Sequence, residues 1–434
     1  MRAWSAQDIA ASAGATLVAA PDADEGPERV VIDSREAGPG DLFVGLPGAT
    51  EDGGRFADQA IRAGAWGVLT TAAHADASLG QRGVVLAADD PLRALQRLAR
   101  AWRRELGAGV IGVTGSTGKT STKDLLYAVL APHRRTIASR GNFNTEIGLP
   151  LEILGAPAGT EVLVLEMAMR GAGQIAELAA IAEPDVGVIV NVGPVHLELL
   201  GTIEAIAATK AELIAALEPG GTAVVPASEP LLEPHRRADV RTVTFGPGGD
   251  VAELPAGLSV PFTSAHMRRN ALAALAAARA VGVEPEGEVT VALSSLRGQR
   301  IALPDDVVVV NDCYNANPMS MRAALDDLAA SASGRRVAVL GDMLELGPGE
   351  VAYHEEIGAV ATTACVDLLV TVGPLAAHIG AAFEGGSHRH VDDARAAAAL
   401  LPDLLEPGDT VLVKASRGVG LEVVAQALET GTAV

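Results

Sequence analysis

The chain has 434 residues, of which 49% are hydrophobic and 20% charged, and its formal net charge is −21. This length predicts two to four domains, and the hydrophobic content excludes a disordered chain. The acidic balance argues against a nucleic-acid partner, because phosphate backbones are repelled. Cys313 and Cys365 have no metal-binding spacing and are typical of a reduced, cytosolic protein. No apolar run approaches the roughly 20 residues of a spanning helix, so we expect a cytoplasmic protein without membrane insertion.

The first segment, residues 1–105, is predicted to mix short strands and helices. An apolar stretch interrupted by Asp8 favours an amphipathic helix followed by a strand over a signal peptide. Residues 30–48 read as strand, turn and strand, and residues 56–70 as a helix and a strand. An amphipathic helix over residues 91–106 then ends the domain.

Two further segments alternate strand-like and helical patterns. Residues 106–298 contain four short apolar runs, at 110–114, 161–167, 185–192 and 221–227. Such alternation predicts a parallel sheet with helices on both faces. Residues 299–434 alternate again and predict a third, smaller α/β domain. The predicted fold class is therefore α/β with three domains.

A glycine-rich turn, TGSTGKT, lies between an apolar strand and a helix. This context favours a phosphate loop over an ordinary glycine turn, because the helix N-terminus and backbone N–H groups face an anion. Lys119 would reach the phosphates and Thr120 would bind magnesium, although Val113 replaces the usual leading glycine. We expect Lys123, one turn along the helix, to be solvated. The predicted loop residues are Thr114, Gly115, Ser116, Thr117, Gly118, Lys119 and Thr120.

Three polar residues follow the apolar runs of the second segment: Glu166, His196 and Lys210. Strand carboxyl ends share one edge of a parallel sheet, so we expect Glu166 and His196 to converge near the phosphate loop. Taken singly, each residue also has a structural explanation, as a loop glutamate, a structural histidine and a solvated lysine. Lysine is scarce, however, with four among 33 basic residues. A lysine here indicates a need for a compact ammonium or for loss of its proton.

Together these features resemble the Mur ligase family, which shares its fold with folylpolyglutamate synthases. The family's loop reads TGxxGKT, which accounts for Val113. The likeness extends over essentially the whole chain, through DSR at 33–35, GNFNTEIGLP at 141–150, GQR at 298–300, YNANP at 314–318 and GDMLELG at 341–347. YNANP and GDMLELG resemble the branch of the family that uses a dipeptide. The DNPR motif of the diamino-acid-adding branch is absent from the sequence.

The resemblance implies an ATP-dependent ligase that makes a peptidoglycan precursor through an acyl phosphate. Its substrates would be UDP-N-acetylmuramoyl-tripeptide and D-alanyl-D-alanine. Asn270 would face adenine and Asp312 the ribose. The implied catalytic residues are Lys119, Lys210, His196 and Arg300, the arginine contacting a phosphate of ATP. The implied magnesium ligands are Thr120, Glu166, His196 and Lys210, the lysine as a carbamate derived from carbon dioxide. The implied substrate-binding residues are Ser34, Arg35, Asn142, Asn144, Tyr314, Asn315, Lys414, Ser416 and Arg417.

The resemblance also assigns the domains. Residues 1–105 would hold the uridine nucleotide, 106–298 would bind ATP, and 299–434 would bind the dipeptide in a monomeric enzyme. Two residues depart from the family pattern: Met267 replaces an asparagine, and Gly54 stands where a histidine is common. Two alternatives stay open: a sister ligase, such as another Mur ligase or a folylpolyglutamate synthase-like enzyme, and an ATP-binding regulator that does not ligate.

Overall fold

The structure, a computed structural model, describes residues 1, 3–21, 25–262 and 264–431. Within these ranges the strands are β1 (Thr16–Ala19), β2 (Arg29–Val31), β3 (Asp41–Val44), β4 (Gly67–Thr70), β5 (Val84–Ala87), β6 (Gly109–Thr114), β7 (Thr136–Ala138), β8 (Val162–Glu166), β9 (Val186–Ile189), β10 (Thr222–Pro226), β11 (Arg241–Phe245), β12 (Leu258–Ser259), β13 (Gly287–Glu288), β14 (Gln299–Ala302), β15 (Val308–Asn311), β16 (Arg336–Gly341), β17 (Leu368–Val372), β18 (Ser387–Val391) and β19 (Thr410–Lys414).

The α-helices of the described ranges alternate with these strands. They are α1 (Ala6–Ala13), α2 (Ala57–Arg62), α3 (Pro91–Leu106), α4 (Lys119–Leu130), α5 (Gly148–Gly155), α6 (Gln174–Ala182), α7 (Leu197–Leu200), α8 (Ile203–Ala215), α9 (Ala265–Ala280), α10 (Pro318–Ser331), α11 (Glu350–Thr363), α12 (Ala377–Ala381), α13 (Ala394–Leu400) and α14 (Glu422–Thr430). Among the described residues, none of these helices has the length and apolar character needed to cross a membrane.

The first sheet has the strand order β1-β5-β4-β3-β2, with only β1 antiparallel to its neighbour. The helix α3 follows it. The Asp90 side chain caps the helix by accepting from the N–H of Arg93, and Gly107 ends it in the left-handed conformation. The indole of Trp102 on α3 donates to the carbonyl of Ala156 over 3.0 Å. The helix therefore joins the first sheet to the layer that covers the second.

The second sheet has the order β11-β10-β9-β6-β8-β7, and its strands pair in parallel as predicted. Its strands are continuous apolar runs because both faces are buried. The helices α4 and α9 pack on one face, and α5, α6 and α8 cover the other. The central strand β6 lies between β8 and β9, so the carboxyl ends of these three strands meet.

The third sheet has the order β14-β15-β19-β16-β17-β18 and is parallel except for the β14–β15 pair. Two apolar layers enclose it, one with α13 and α14 and the other with α10 and α11. A hairpin at β14–β15 thus opens this domain directly after the second one. The predicted three-domain α/β architecture follows from these three sheets in series.

Candidate active site

The glycine-rich loop connects β6 to α4 at the centre of the second sheet. Gly118 has φ +75°, and a Cβ atom there would lie 2.9 Å from the side-chain amide of Asn270 on α9, so the close approach requires glycine. The Nζ of Lys119 donates to the carbonyl of Gly115 over 2.7 Å. Burial lowers the pKa of Lys119, and the Glu166 carboxylate opposes this shift. Loop conformation and charge both suit phosphate groups.

The segment after β9 holds the phosphate loop in place. The N–H of Thr117 donates to Oδ1 of Asn191 over 2.9 Å, and Nδ2 of Asn191 donates back to the Thr117 carbonyl over 3.1 Å. The Oγ of Ser116 donates to the carbonyl of Gly193 over 2.9 Å. The same segment leads to His196, so it positions the loop and the histidine together. Asn191 has no signal in the sequence, because an amide that follows an apolar run matches no motif.

Glu166 ends β8, directly beside β6, and is only 2% exposed. Its Oε1 accepts from Nδ2 of Asn144 over 2.9 Å, and its N–H donates to Oγ of Ser139 over 3.0 Å. Its Oε2 is buried and has no hydrogen-bond partner in the described part of the chain. An unpartnered carboxylate oxygen at this place is suited to a bound cation. Asn144, which the resemblance assigns to substrate, thus orients the carboxylate.

Lys210 lies on α8 and is 1% exposed. Throughout the described ranges its ammonium has no hydrogen-bond or carboxylate partner. Burial lowers the pKa of Lys210 well below its ordinary value of 10.5, and the charge of Lys119 lowers it further. This burial excludes the solvated helix-face explanation. A lysine that loses its proton readily is the nucleophile that carbamate formation requires.

His196 precedes α7 with φ +54°, a left-handed conformation that non-glycine residues rarely adopt. Its Nδ1 is hydrogen-bonded to Oε2 of Glu345, a residue of the third domain. Burial lowers the pKa of His196, the Glu345 carboxylate opposes this shift, and the charges of Lys119 and Lys210 add to it. The histidine and both lysines therefore lie within electrostatic reach of one another.

The donor set determines which metal ion could bind here. Across the residues that the structure describes, no three His, Cys, Asp or Glu side chains form a group that could hold a metal. Glu166 and His196 therefore make no site alone. Magnesium prefers oxygen ligands and commonly shares them with substrate phosphates. The Thr120 hydroxyl, nucleotide phosphates and a carbamate on Lys210 would complete such a set, which fits magnesium bound together with a nucleotide.

Two arginines near the start of the third domain have different surroundings. Arg300 is exposed, and its Nη1 lies 3.4 Å from Oγ of Ser331. The guanidinium carbon of Arg297 lies 3.8 Å from the ring centre of Tyr314, and its Nε is buried without a partner among the described residues. Burial is the main cause of the lowered Lys119 pKa, and the charge of Arg297 adds to it. The charge of Arg297 therefore acts on the lysine of the phosphate loop, whereas the motif drew attention to Arg300.

Lys123 is 3% exposed, so the expectation that it is solvated is wrong. Its Nζ donates to the carbonyl of Ser139 over 2.7 Å and lies 2.9 Å from the carboxylate of Asp124. Asp124 accepts from the N–H of Ser294 over 2.8 Å, which ties α4 to the segment that carries Arg297. Helical periodicity alone could not reveal this burial, because the partners come from distant parts of the sequence.

Loops of the third domain are held together by residues that the resemblance assigns to substrate. Lys414 is 2% exposed and donates to Oδ2 of Asp312 over 2.5 Å and to the carbonyl of Asn315 over 3.0 Å. Ser416 is also buried, and its Oγ accepts from the N–H of Leu344 over 2.9 Å. These contacts fix the YNANP and GDMLELG segments against the end of β19.

The remaining predicted substrate-binding residues lie at or near the surface. Arg417 is exposed at the start of a 3-10 helix three residues after β19, and its Nη1 lies 3.3 Å from Oε1 of Glu422. In the first domain, Arg35 is exposed and its hydrogen bonds hold the pKa of Asp33 at about 2. Ser34 lies between them, and Asn142 is exposed on the loop before α5. The structure thus leaves these side chains accessible to a ligand.

At positions 54 and 267, which depart from the family pattern, other side chains lie close by. A Cβ atom on Gly54 would lie 2.6 Å from the ring of His74, whose Nε2 lies 3.1 Å from Oδ2 of Asp52. An imidazole therefore stands beside residue 54 although that residue is glycine. Met267 is buried at the start of α9, and its Sδ lies 3.8 Å from Nδ2 of Asn270. A thioether thus contacts the amide that is predicted to face adenine.

Fold and site define an enzyme class: a nucleotide-binding protein of three α/β domains whose phosphate loop adjoins a buried carboxylate and a buried lysine. The chain belongs to the Mur ligase family. It matches the family's catalytic domain over residues 28–103, the Mur ligase middle domain over 113–257, and the Mur ligase, glutamate ligase domain over 296–417. The predictions of this family, its fold and its ATP-dependent ligase class are confirmed.

Individual relatives are similar over nearly the whole chain. The UDP-N-acetylmuramoyl-tripeptide--D-alanyl-D-alanine ligase of Bacillus subtilis (strain 168) is 37% identical over 427 residues, covering 92% of each chain. This chain superposes on MurF from Acinetobacter baumannii (crystal structure I) with a TM-score of 0.87 at 28% identity. The match covers 98% of this chain and 99% of that one. The MurF ligase of Thermotoga maritima in complex with ADP gives a TM-score of 0.79 at 33% identity, over 93% and 97%.

Proposed function

We propose that this chain uses ATP to join D-alanyl-D-alanine to UDP-N-acetylmuramoyl-tripeptide through an acyl phosphate, in the synthesis of a peptidoglycan precursor. The observation that carries the proposal is that half-buried Lys119 of the phosphate loop lies within electrostatic reach of the buried side chains of Glu166 and Lys210. Relatives similar over nine-tenths of the chain and named for this reaction support the choice of substrates. Cell-wall formation, and with it cell shape and division, would depend on the product.

In the first step, the terminal carboxylate of the tripeptide attacks the γ-phosphorus of ATP, and ADP leaves. Both reactants are anions, so catalysis is mostly positioning and charge neutralisation. Lys119 would contact the β- and γ-phosphates, and Arg297 would approach the same oxygens while stacked on Tyr314. Asn270 and Asp312 are the proposed contacts of adenine and ribose.

Magnesium, when bound, would neutralise phosphate charge that the protein cations leave uncompensated. Thr120, Glu166, His196 and carbamylated Lys210 would hold it. The carbamate forms when the neutral amine of Lys210 adds to the carbon of carbon dioxide and the adduct loses a proton. The residue then changes from a potential cation to an anion with two oxygens. Among the residues that the structure describes, neither the ammonium of Lys210 nor Oε2 of Glu166 has a hydrogen-bond partner, which supports this assignment.

In the second step, the dipeptide amine attacks the acyl carbon and loses a proton, a tetrahedral intermediate forms, and its carbon–oxygen bond to phosphate breaks, so that inorganic phosphate leaves and an amide remains. The third domain, proposed as residues 299–434, would bind the dipeptide. Arg417 is the better candidate for its carboxylate, because its side chain is exposed and pairs with Glu422 over 3.3 Å, whereas Lys414 is buried and donates to Asp312 and Asn315. Closure of the domains would exclude water from the hydrolysable intermediate.

The other two domains would bind the uridine nucleotide and ATP. Residues 1–105 would hold the uridine nucleotide through the loop of Ser34 and Arg35. Asn142 would also bind substrate. Residues 106–298 would bind ATP. The proposed limits lie at the end of α3 and directly before β14. We place the enzyme in the cytoplasm, where ATP is available, as a monomer.

Phosphate release from ATP tests the proposal. The measurement uses the purified chain with ATP and magnesium, and with the nucleotide-linked tripeptide and D-alanyl-D-alanine added singly and together. Turnover should require both. Faster turnover with a free diamino acid, D-glutamate or L-alanine than with the dipeptide would identify a sister ligase. ATP binding without turnover in any combination would indicate a regulator.

A further inference from the structure

The contact between His196 and Glu345 joins two domains at the edge of the nucleotide site. His196 follows β9 in the second domain, and Glu345 follows β16 in the third. The carboxylate Oε2 of Glu345 accepts a hydrogen bond from Nδ1 of His196, and its Oε1 lies 3.6 Å from Nη2 of Arg170. The carboxylate therefore contacts two side chains of the second domain at once.

The backbone on both sides of this contact is unusual. His196 has φ +54° and Glu345 has φ +63°, so two non-glycine residues in the left-handed region face each other across the domain boundary. Such conformations are costly and persist where surrounding structure requires them. A side-chain ion pair at a surface would contribute little by itself. Strain on both partners therefore points to a contact that serves the site.

Backbone packing brings the two segments together. The N–H of Glu198 lies 3.4 Å from the carbonyl of Glu345. A Cβ atom on Gly347 would lie 3.3 Å from Cα of Glu198, and Gly347 also has a positive φ of +68°. A larger residue at position 347 would crowd the backbone of Glu198 and would be strained by the positive φ. The contact is therefore sensitive to how the two domains dock.

A histidine that binds a metal through Nε2 is commonly fixed by a carboxylate that accepts from its Nδ1–H. This bond selects the tautomer whose Nε2 carries the lone pair, and it sets the ring orientation. Within the described chain, Nε2 of His196 has no hydrogen-bond partner, while Nδ1 is bound to Glu345. The arrangement is the one that a metal-binding histidine needs.

We propose that Glu345 is a positioning residue that orients His196 for magnesium and thereby couples metal binding in the second domain to docking of the third. This inference rests on the proposed magnesium site. Because linkage is reciprocal, a docked third domain raises the affinity for metal, and bound metal with nucleotide favours docking. The cation and the dipeptide-bearing domain would thus be brought to the site together.

Manganese binding in the presence of a non-hydrolysable ATP analogue tests the coupling, with Mn²⁺ followed by electron paramagnetic resonance. Glu345→Ala should weaken Mn²⁺ binding by about 10–100-fold, the range found when such orienting partners are removed. Glu345→Gln, which keeps an acceptor oxygen, should fall between Glu345→Ala and the unmodified chain. Glu198→Gln is the matched control, because it removes a neighbouring exposed carboxylate that does not contact His196, and it should change Mn²⁺ affinity less than twofold.

A second variant separates docking from hydrogen bonding. Gly347→Ala keeps both partners but crowds the backbone of Glu198 and strains the left-handed backbone at position 347, so it should weaken Mn²⁺ binding several-fold. We expect metal to change the small-angle X-ray scattering of the unmodified chain, and we expect a smaller change in this variant. Circular dichroism would confirm that each variant is folded. Mn²⁺ affinity within twofold of normal in folded Glu345→Ala, with ligation intact in the unmodified chain, overturns this inference alone. Absence of Mn²⁺ binding by the unmodified chain with the ATP analogue overturns it together with the proposed metal site.

Discussion

The buried ammonium of Lys210 should make the stability of the second domain depend on pH in a way that Lys210→Met removes. The residue is 1% exposed, and burial lowers its pKa well below 10.5, with the Lys119 charge adding to the shift. Methionine has a similar length and no charge, so the substitution preserves packing while it removes the titrating group. Lys119 remains in both proteins, and the difference between them isolates Lys210.

The sign follows from proton binding. Because the folded-state pKa lies below the unfolded value, the unfolded chain binds an additional proton at every pH between the two values. The free energy of unfolding therefore rises with pH across that window, by up to about 1.4 kcal/mol per pH unit, and levels off near the unfolded pKa. Relative to the methionine variant, the unmodified protein should be least stable at the low-pH end of the window.

Urea titration in metal-free buffer without bicarbonate measures the effect between pH 7.5 and 9.5. Hydrogen exchange of peptides from α8 reports unfolding of the second domain alone. The two proteins should converge as pH rises. Bicarbonate should then stabilise only the unmodified chain, by about 1.4 kcal/mol when carbon dioxide reaches tenfold its dissociation constant. Parallel curves for the two proteins at all pH values would refute the burial of an ionisable amine.

Three further predictions concern activity. Lys119→Ala should lower kcat by about 100-fold or more with an unchanged circular dichroism spectrum, because it removes transition-state charge but little packing; near-normal turnover would contradict the nucleotide assignment. Arg297→Met should reduce kcat/KM for ATP by at least about tenfold. The matched Arg300→Met variant should have a smaller effect, because Arg300 is exposed. A larger effect of Arg300→Met would restore the motif-based assignment of Arg300. The Lys210→Arg and Lys210→Ala variants should both lose most of the ligation activity. A small carboxylate such as acetate should partly restore the activity of the alanine variant. An active arginine variant would exclude the carbamate.

The sequence pattern predicted those parts of the site that depend on local order along the chain. The strand before the phosphate loop and the helix after it were recognisable from apolar runs and glycine spacing. Glu166 could be placed at the loop because it ends a strand of a parallel sheet, and the carboxyl ends of such strands share an edge. The position of Lys210 was suggested by the scarcity of lysine, but only the structure shows that the residue is buried.

Other parts of the site depend on contacts between distant segments and could not be predicted. Lys123 was expected on the solvated side of α4, yet it is buried and its Nζ donates a hydrogen bond to the carbonyl of Ser139. Arg297 has no motif of its own, and its place is set by stacking on Tyr314. Lys414 fits a substrate-binding motif, but its hydrogen bonds are made within the third domain. In each case tertiary contacts decide which donors remain for a ligand.

The concentration of cations around the phosphate loop explains why an enzyme of net charge −21 can bind anionic substrates. Burial is the main cause of the lowered pKa of Lys119 and of Lys210, and repulsion adds to it: the charge of Arg297 acts on Lys119, and the charge of Lys119 acts on Lys210. Such repulsion destabilises the ligand-free site, and the phosphates of ATP would relieve it. Conversion of Lys210 to a carbamate would relieve it further and would supply the oxygens that magnesium needs. The burial and the charge repulsion that lower the lysine pKa values in the free protein would therefore favour the binding of nucleotide, metal and carbon dioxide.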